Sequence, residues 1–177
     1  MIHEEMLGKE QSDMFAEIRR KDRMSTPEQA EELLTRGEHG MLSTVGADGY
    51  PYGIPVNYAY ENGRIYFHCA RGVGKKLENI QRNPKVCFTV VGTAQVVPAE
   101  FSTNYESTVV FGTAQEITEL DEKKAALELL IRKYSPEFLE TGRQYIERSA
   151  AVTGVYVISV QHISGKARRG KPKMQQG

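Results

Sequence analysis

Two adjacent lysines, Lys75 and Lys76, follow the glycine-bearing run Ala70-Arg71-Gly72-Val73-Gly74 and open a helical stretch that ends before Pro84. The first amides of a helix lack internal partners, and the aligned peptide dipoles place partial positive charge there. Two ammonium groups at such a start make a candidate phosphate site. Solvated surface lysines would show the same spacing, and the local pattern leaves both readings open. A second centre lies just upstream, where His68 precedes Cys69. Imidazole titrates near neutral pH and can give or take a proton. A Cys-His nucleophile needs both side chains on one face, whereas neighbouring strand residues point to opposite faces. His68 is then either a packed strand residue or a functional group on its own. His3, His39, His68 and His162 show no metal-ligand spacing, so no metal centre is expected.

Both centres need strands and helices to hold them. Ser25-Thr26-Pro27-Glu28 reads as a capping box, with the Ser hydroxyl on an orphan amide and Glu28 reaching back. Ala30, Leu33 and Leu34 continue as one apolar helical face, and Gly37 ends it. The period then changes to two. Residues 41–45 predict a strand, 47–49 a hairpin loop and 52–60 one returning strand. Pro55 inside that strand lacks a ladder donor and implies an edge or a bulge. Asn62-Gly63 suits a two-residue hairpin turn, because both residues tolerate positive φ. Residues 64–69 form the next strand and 75–82 a short helix. Further strands are expected at 86–91, 105–117 and 152–163. Between the last two, Leu127, Leu130, Ile131 and Tyr134 mark a helical stripe, and another helix begins near Pro136. The pattern predicts a mainly β domain with peripheral helices, built as a small antiparallel barrel. The boundaries are an N-terminal arm over 1–24, the domain over 25–165 and a basic tail over 166–177. Met14, Phe15 and Ile18 give the arm an apolar stripe that could pack on a partner subunit.

Composition narrows the partners. Lys and Arg number 23, as do Asp and Glu, so the net charge is zero. A general nucleic-acid binder or a membrane-surface protein would carry a basic excess, and neither is expected. The two cysteines, Cys69 and Cys87, sit in apolar strand-like runs, as reduced core residues do. No signal-peptide pattern and no membrane-length apolar run occurs, so a soluble, cytoplasmic protein is expected.

Three segments carry a resemblance: Gly49-Tyr50-Pro51-Tyr52-Gly53-Ile54-Pro55-Val56-Asn57-Tyr58, the strand-loop-helix at 65–84, and Tyr105-Glu106-Ser107-Thr108-Val109-Val110-Phe111-Gly112. From about His39 to Arg169 the chain resembles the FMN-binding split β-barrels related to pyridoxamine 5′-phosphate oxidase. Phe67-His68-Cys69-Ala70, the run from Phe101 to Ser107 and the closing Ile163-Ser164-Gly165-Lys166-Ala167-Arg168-Arg169 are similar to its nitroimidazole-resistance branch. The resemblance implies a homodimer with FMN in the subunit groove. It implies that Ile54, Pro55, Val56 and Asn57 line the isoalloxazine ring, with Phe67 and His68 beside the ring and ribityl chain. Lys75 and Lys76 would hold the phosphate, and Ser107 would reach FMN from the second subunit. His68 would be the catalytic residue. The implied activity is an oxidoreductase passing electrons from NAD(P)H to a small organic acceptor such as a 5-nitroimidazole. A flavin-binding module without turnover, or a split barrel holding heme or a deazaflavin, is the alternative. The basic residues with which pyridoxamine phosphate oxidases read their substrate are not recognisable here, so that activity is not expected.

Overall fold

The computed structural model describes residue 15 and residues 17–170. Seven strands form one antiparallel sheet: β1 (Gly40–Val45), β2 (Pro51–Val56), β3 (Ala59–Glu61), β4 (Arg64–Ala70), β5 (Lys85–Val97), β6 (Ser102–Glu116) and β7 (Thr153–Arg168). Their order across the sheet is β2-β1-β5-β6-β7-β4-β3. Four helices accompany it: α1 (Pro27–Arg36), α2 (Lys75–Arg82), α3 (Leu120–Tyr134) and α4 (Leu139–Ser149).

The order places β2 and β3 at opposite edges, yet only Asn57 and Tyr58 separate them in the chain. Three Cα steps reach at most about 11 Å. The two edges must therefore come close, and the sheet curls into a barrel with its split at this junction. The single strand expected over 52–60 is thus two strands with different partners. β2 pairs with β1, and β3 pairs with β4. Pro55 lies opposite Met41 on the edge strand, where its missing donor costs no ladder bond. The Asn62-Gly63 turn takes the expected form, with φ of 50° and 73°.

Alternation along the strands divides apolar side chains between two cores. Leu42, Ile65, Phe67, Phe88, Val110 and Ile158 fill the barrel, closed by Leu33 and Leu34 of α1 and by Leu77 and Ile80 of α2. Tyr66, Val155 and Val157 face outward, under Leu127 and Leu130 of α3 and Ile146 of α4. Each such burial contributes roughly 1.5–3 kcal/mol, so both layers matter to stability. The Tyr134 hydroxyl ties the outer layer to the barrel split. It accepts from the Tyr58 amide at 2.9 Å and donates to the carbonyl of Glu38 (2.6 Å) or Tyr58 (2.9 Å).

Several boundaries differ from expectation, among them the end of β5, which runs to Val97 rather than 91 because the start of β6 at Ser102 pairs with it. The α1 cap is Thr26 with Gln29, rather than Ser25 with Glu28. Ser25 is held extended by its amide bond to the Gly165 carbonyl at 3.0 Å, which moves the helix start one residue on. β7 continues through Lys166 to Arg168, because β6 is long enough to pair with it as far as Tyr105. The start of the expected tail is therefore strand. Met14 and residues 171–177 lie outside the described residues. Phe15 stacks on this chain's own β6 and β7, 5.1 Å from Phe111 and 4.7 Å from His162 between ring centroids.

Candidate functional site

The glycine loop delivers the chain into α2 through Gly74, whose φ of 119° suits only a residue without Cβ. No side chain caps this helix. The amides of Leu77 and Glu78 turn back to the Gly74 carbonyl, at 2.9 and 3.2 Å. Those of Lys75 and Lys76 precede them and have no helical acceptor. Lys75 Nζ lies 3.6 Å from Asp48 Oδ2, so its charge is partly committed. The Tyr50 amide, and then Lys75, hold the Asp48 carboxyl below its ordinary value. Lys76 is half-buried and makes no ion pair among the described residues. It is close enough to Cys69 for its charge to act on the thiol, although burial is the larger effect and pushes that thiol up.

His68 and Cys69 take opposite faces of β4, as the strand period requires. Cys69 packs against the barrel core, and both cysteines are free thiols. His68 pairs in register with Val155 of β7 and turns outward, toward α3 and α4. There it lines a cavity of about 330 Å³ with Asn57, Leu130, Ile131, Tyr134 and Tyr145. Solvent reaches the outer edge of the imidazole, while burial of the remainder pushes its pKa below the ordinary value. At neutral pH it is mainly an uncharged ring with one N–H donor and one acceptor nitrogen.

The candidate residues thus fall into five places. Asn57 and His68 meet at one cavity, although they are 11 residues apart in sequence. Ile54, Pro55 and Val56 run along the sheet edge that leads to it, so one side of their backbone has no strand partner. Lys75 and Lys76 lie beyond the C-terminal end of β4, on the far side of an exposed loop from His68. A ligand joining them must pass over that loop. Phe67 is different: its ring is fully buried in the barrel, stacked 5.4 Å from Tyr156, so only its backbone is near the cavity face. Ser107 is also remote. It is opposite Lys166 on β7, whereas His68 is opposite Val155. The intervening stretch of β7 corresponds to roughly 35 Å at the rise of an extended strand. One subunit alone does not bring Ser107 to this site.

The sequence reading took Leu127, Leu130, Ile131 and Tyr134 simply as a helical stripe. In the fold all four line the cavity, joined by Tyr145, Ile146 and Ser149 of α4. The available signal was that this stripe has to pack on the strand face that carries His68. Among the described residues, no group of three or more His, Cys, Asp or Glu is placed to hold a metal ion. No helix among them is long and apolar enough to cross a membrane.

Comparison with known proteins agrees with this architecture. The family model described as pyridoxamine 5′-phosphate oxidase matches residues 26–167. A Streptomyces rimosus 5a,11a-dehydrotetracycline/5a,11a-dehydrooxytetracycline reductase is 30% identical over 82 residues, which cover 45% of this chain and 55% of that protein. The chain spans about half the length of the curated relatives it matches. Among solved structures, a Bacteroides thetaiotaomicron protein described as a candidate 5-nitroimidazole antibiotic resistance protein superposes with a TM-score of 0.68 at 25% identity, covering 81% of this chain and 85% of that one. A Mesorhizobium loti FAD-binding protein gives 0.60 at 26% identity, covering 83% and 98%. An FAD- and heme-binding protein of Mycobacterium smegmatis shares the fold, with a TM-score of 0.73 at 21% identity and coverage of 86% and 76%. On its sequence match and its split-barrel fold, the chain belongs to the pyridoxamine 5′-phosphate oxidase family.

Proposed function

We propose that this protein is a cytoplasmic, FMN-dependent oxidoreductase that works as a homodimer and reduces a small organic acceptor, such as a 5-nitroimidazole, at the expense of NAD(P)H. The observation that carries the reading is the meeting of Asn57 and His68 at an apolar cavity, on the strand that leads into the Lys75–Lys76 helix start. The donor set suits FMN. Uncapped helix amides and two ammonium groups match a phosphate, and the unpaired edge of β2 offers backbone groups to a flat heteroaromatic ring. Free thiols at Cys69 and Cys87 accord with a reducing compartment. Ser107, remote within one chain, would come from the second subunit, which makes the dimer part of the site.

Bound there, FMN would supply two-electron transfer from the reduced nicotinamide to the acceptor. For a nitro acceptor the balance is one NAD(P)H and one proton consumed, one oxygen lost as water, and the nitroso compound and NAD(P)+ formed. Lys76 would hold the phosphate end, and the edge of β2 would face the ring. The walls from α3 and α4 exclude water from the acceptor. His68 presents its N–H to the acceptor's polar group and, when protonated, supplies the proton that the reduction consumes.

A heme reading draws on the same neutral imidazole in an apolar cavity, which is the form of histidine that ligates iron. The absorption spectrum of the purified protein separates the two. Flavin bands, with FMN retained far better than riboflavin, support the proposal. A Soret band, or a colourless protein that takes up no FMN, overturns it. A flavin-loaded protein inert to NADH, NADPH and other donors is instead a binding module.

A further inference from the structure

We propose that the cavity beside His68 is the acceptor pocket, that it selects an uncharged planar ring and rejects anions, and that Tyr145 at its mouth sets this preference. The inference rests on the oxidoreductase reading and adds to it the class of acceptor.

The lining carries the argument. No described residue of the wall is Asp, Glu, Lys or Arg. Leu127, Leu130, Ile131 and Ile146 supply apolar surface, and Tyr134 and Tyr145 supply ring faces and edges. Three hydroxyls of the wall are already engaged. Ser149 Oγ donates to the Tyr145 carbonyl at 2.8 Å, and Thr153 Oγ1 donates to the Ser149 carbonyl at 2.9 Å. The Tyr134 hydroxyl proton goes to Glu38 or Tyr58. Among the described residues, Asn57, His68, Ser135 and Tyr145 line the cavity without a side-chain hydrogen bond to protein, and all four are neutral groups. Two buried ammonium groups stand behind the wall without lining the space: Lys123 is turned to the Thr153 carbonyl at 3.2 Å, and Lys133 lies over the Tyr58 ring, 5.5 Å from the ring of Tyr134. The Lys124–Glu147 pair also lies outside it.

An anion entering here would lose its water and find only neutral donors on the wall, with no charged side chain facing it. Burial of an unpaired charge is strongly unfavourable, whereas a neutral ring with one or two polar substituents loses little. Volume agrees: about 330 Å³ is at the lower end of ligand pockets and suits one small ring system. Stacked aromatic contact with Tyr134 or Tyr145 favours a planar acceptor over a globular one.

Tyr145 is the residue at which selectivity can be changed without disturbing the core, since it is 64% exposed on α4. The test uses 4-nitrobenzamide and 4-nitrobenzoate, which match in shape and differ by one charge. Calorimetric binding and NADPH-dependent turnover are measured on the FMN-loaded protein, and binding alone on the flavin-free protein. The wild type is expected to favour the amide by at least about tenfold, the scale of one uncompensated polar contact. Tyr145→Arg, which brings a guanidinium to the mouth, should shrink that ratio by about tenfold, while Tyr145→Phe leaves it unchanged. FMN affinity should be the same in all three proteins. Equal binding of the amide and the carboxylate, a preference for nitrobenzoate, or a ratio that Tyr145→Arg does not move would overturn the inference. The flavin-free titration reads the cavity by itself. Failure to bind flavin therefore sinks the oxidoreductase reading, and an inverted ratio sinks only this one.

Discussion

Replacing Lys133 by Met should make this protein more stable at neutral pH, against the usual effect of substituting a half-buried residue. Lys133 Nζ is shielded from solvent and has no hydrogen-bond partner among the described residues. It stands 3.8 Å from the centroid of the Tyr58 ring and 5.5 Å from that of Tyr134. Burial pushes its pKa from 10.5 down to about 8, with Glu38 pulling weakly the other way. At about 1.4 kcal/mol per pH unit, that depression corresponds to roughly 3 kcal/mol for keeping the ammonium protonated in the fold. The two ring faces offset roughly 1–2 kcal/mol of it. A net gain of about 1–2 kcal/mol is therefore expected for Lys133→Met, whose side chain has similar length and no charge. The pH dependence follows from the depressed pKa. Below about pH 8 both folded and unfolded chains hold the proton, and the cost is present in full. Between about 8 and 10.5 the unfolded chain binds more protons, so wild-type stability gains relative to the variant as pH rises. Burial raises the pKa of Tyr58 and of Tyr156, the latter to about 12, which lowers stability toward pH 10 in wild type and variant alike and so cancels in the comparison. Urea denaturation of the two proteins at pH 7 and pH 10 measures the difference. A variant less stable at pH 7, or a gap that stays constant with pH, would refute the reasoning.

Other expectations test the site and its supports. Lys76→Ala should weaken FMN binding by roughly 1–3 kcal/mol and leave riboflavin binding unchanged, as read by calorimetry with both ligands. His68→Ala should retain FMN yet slow acceptor reduction by roughly 10²–10⁴-fold in stopped-flow reoxidation. In the wild type, the same reaction should accelerate as pH falls, with its midpoint below the ordinary imidazole value of 6.5. Tyr134→Phe should cost roughly 1–3 kcal/mol in urea denaturation, because the Tyr58 amide and the Glu38 carbonyl lose their shared hydroxyl. Light scattering should give a dimer at micromolar concentration, and a monomer that still binds FMN tightly would remove Ser107 from the site.

How much of this was legible in the sequence depended on whether the deciding interaction was local. The α2 start was readable because a glycine loop, a helix start and two lysines occur within a few residues. The Asn62-Gly63 turn was readable for the same reason. The split at Asn57–Tyr58 was not. Alternation runs through it undisturbed, since Val56, Tyr58 and Tyr60 all face the same barrel interior from its two edges. A period of two reports which face is buried and is silent about which strand is the partner. The cap shift from Ser25 to Thr26 depended on Gly165, 140 residues away in sequence. The outer cavity was missed because its walls come from helices whose apolar stripe looked sufficient for packing alone. His68 was singled out, but the sequence could not reveal that Tyr145 and Ser149 would face it.

The position of β7 between β6 and β4 has a consequence for how the chain acquires its fold. The β3–β4 hairpin closes through a two-residue turn, and β1–β2 closes through a short loop, so both can form on fast local timescales. Neither completes a barrel. β4 has to wait for β7, with Arg64 opposite Ser159, so that half of the sheet stays detached until a strand almost a hundred residues later has been made. Contacts of such long sequence separation form late and slow the overall rate. During synthesis the β3–β4 hairpin would emerge well before β7 and expose an unpaired edge, a template for association with other chains. The wall of the His68 cavity is assembled in the same late step, because its strand face is completed by β7 and its helices emerge only after β6. Folding and the formation of this cavity are therefore one event.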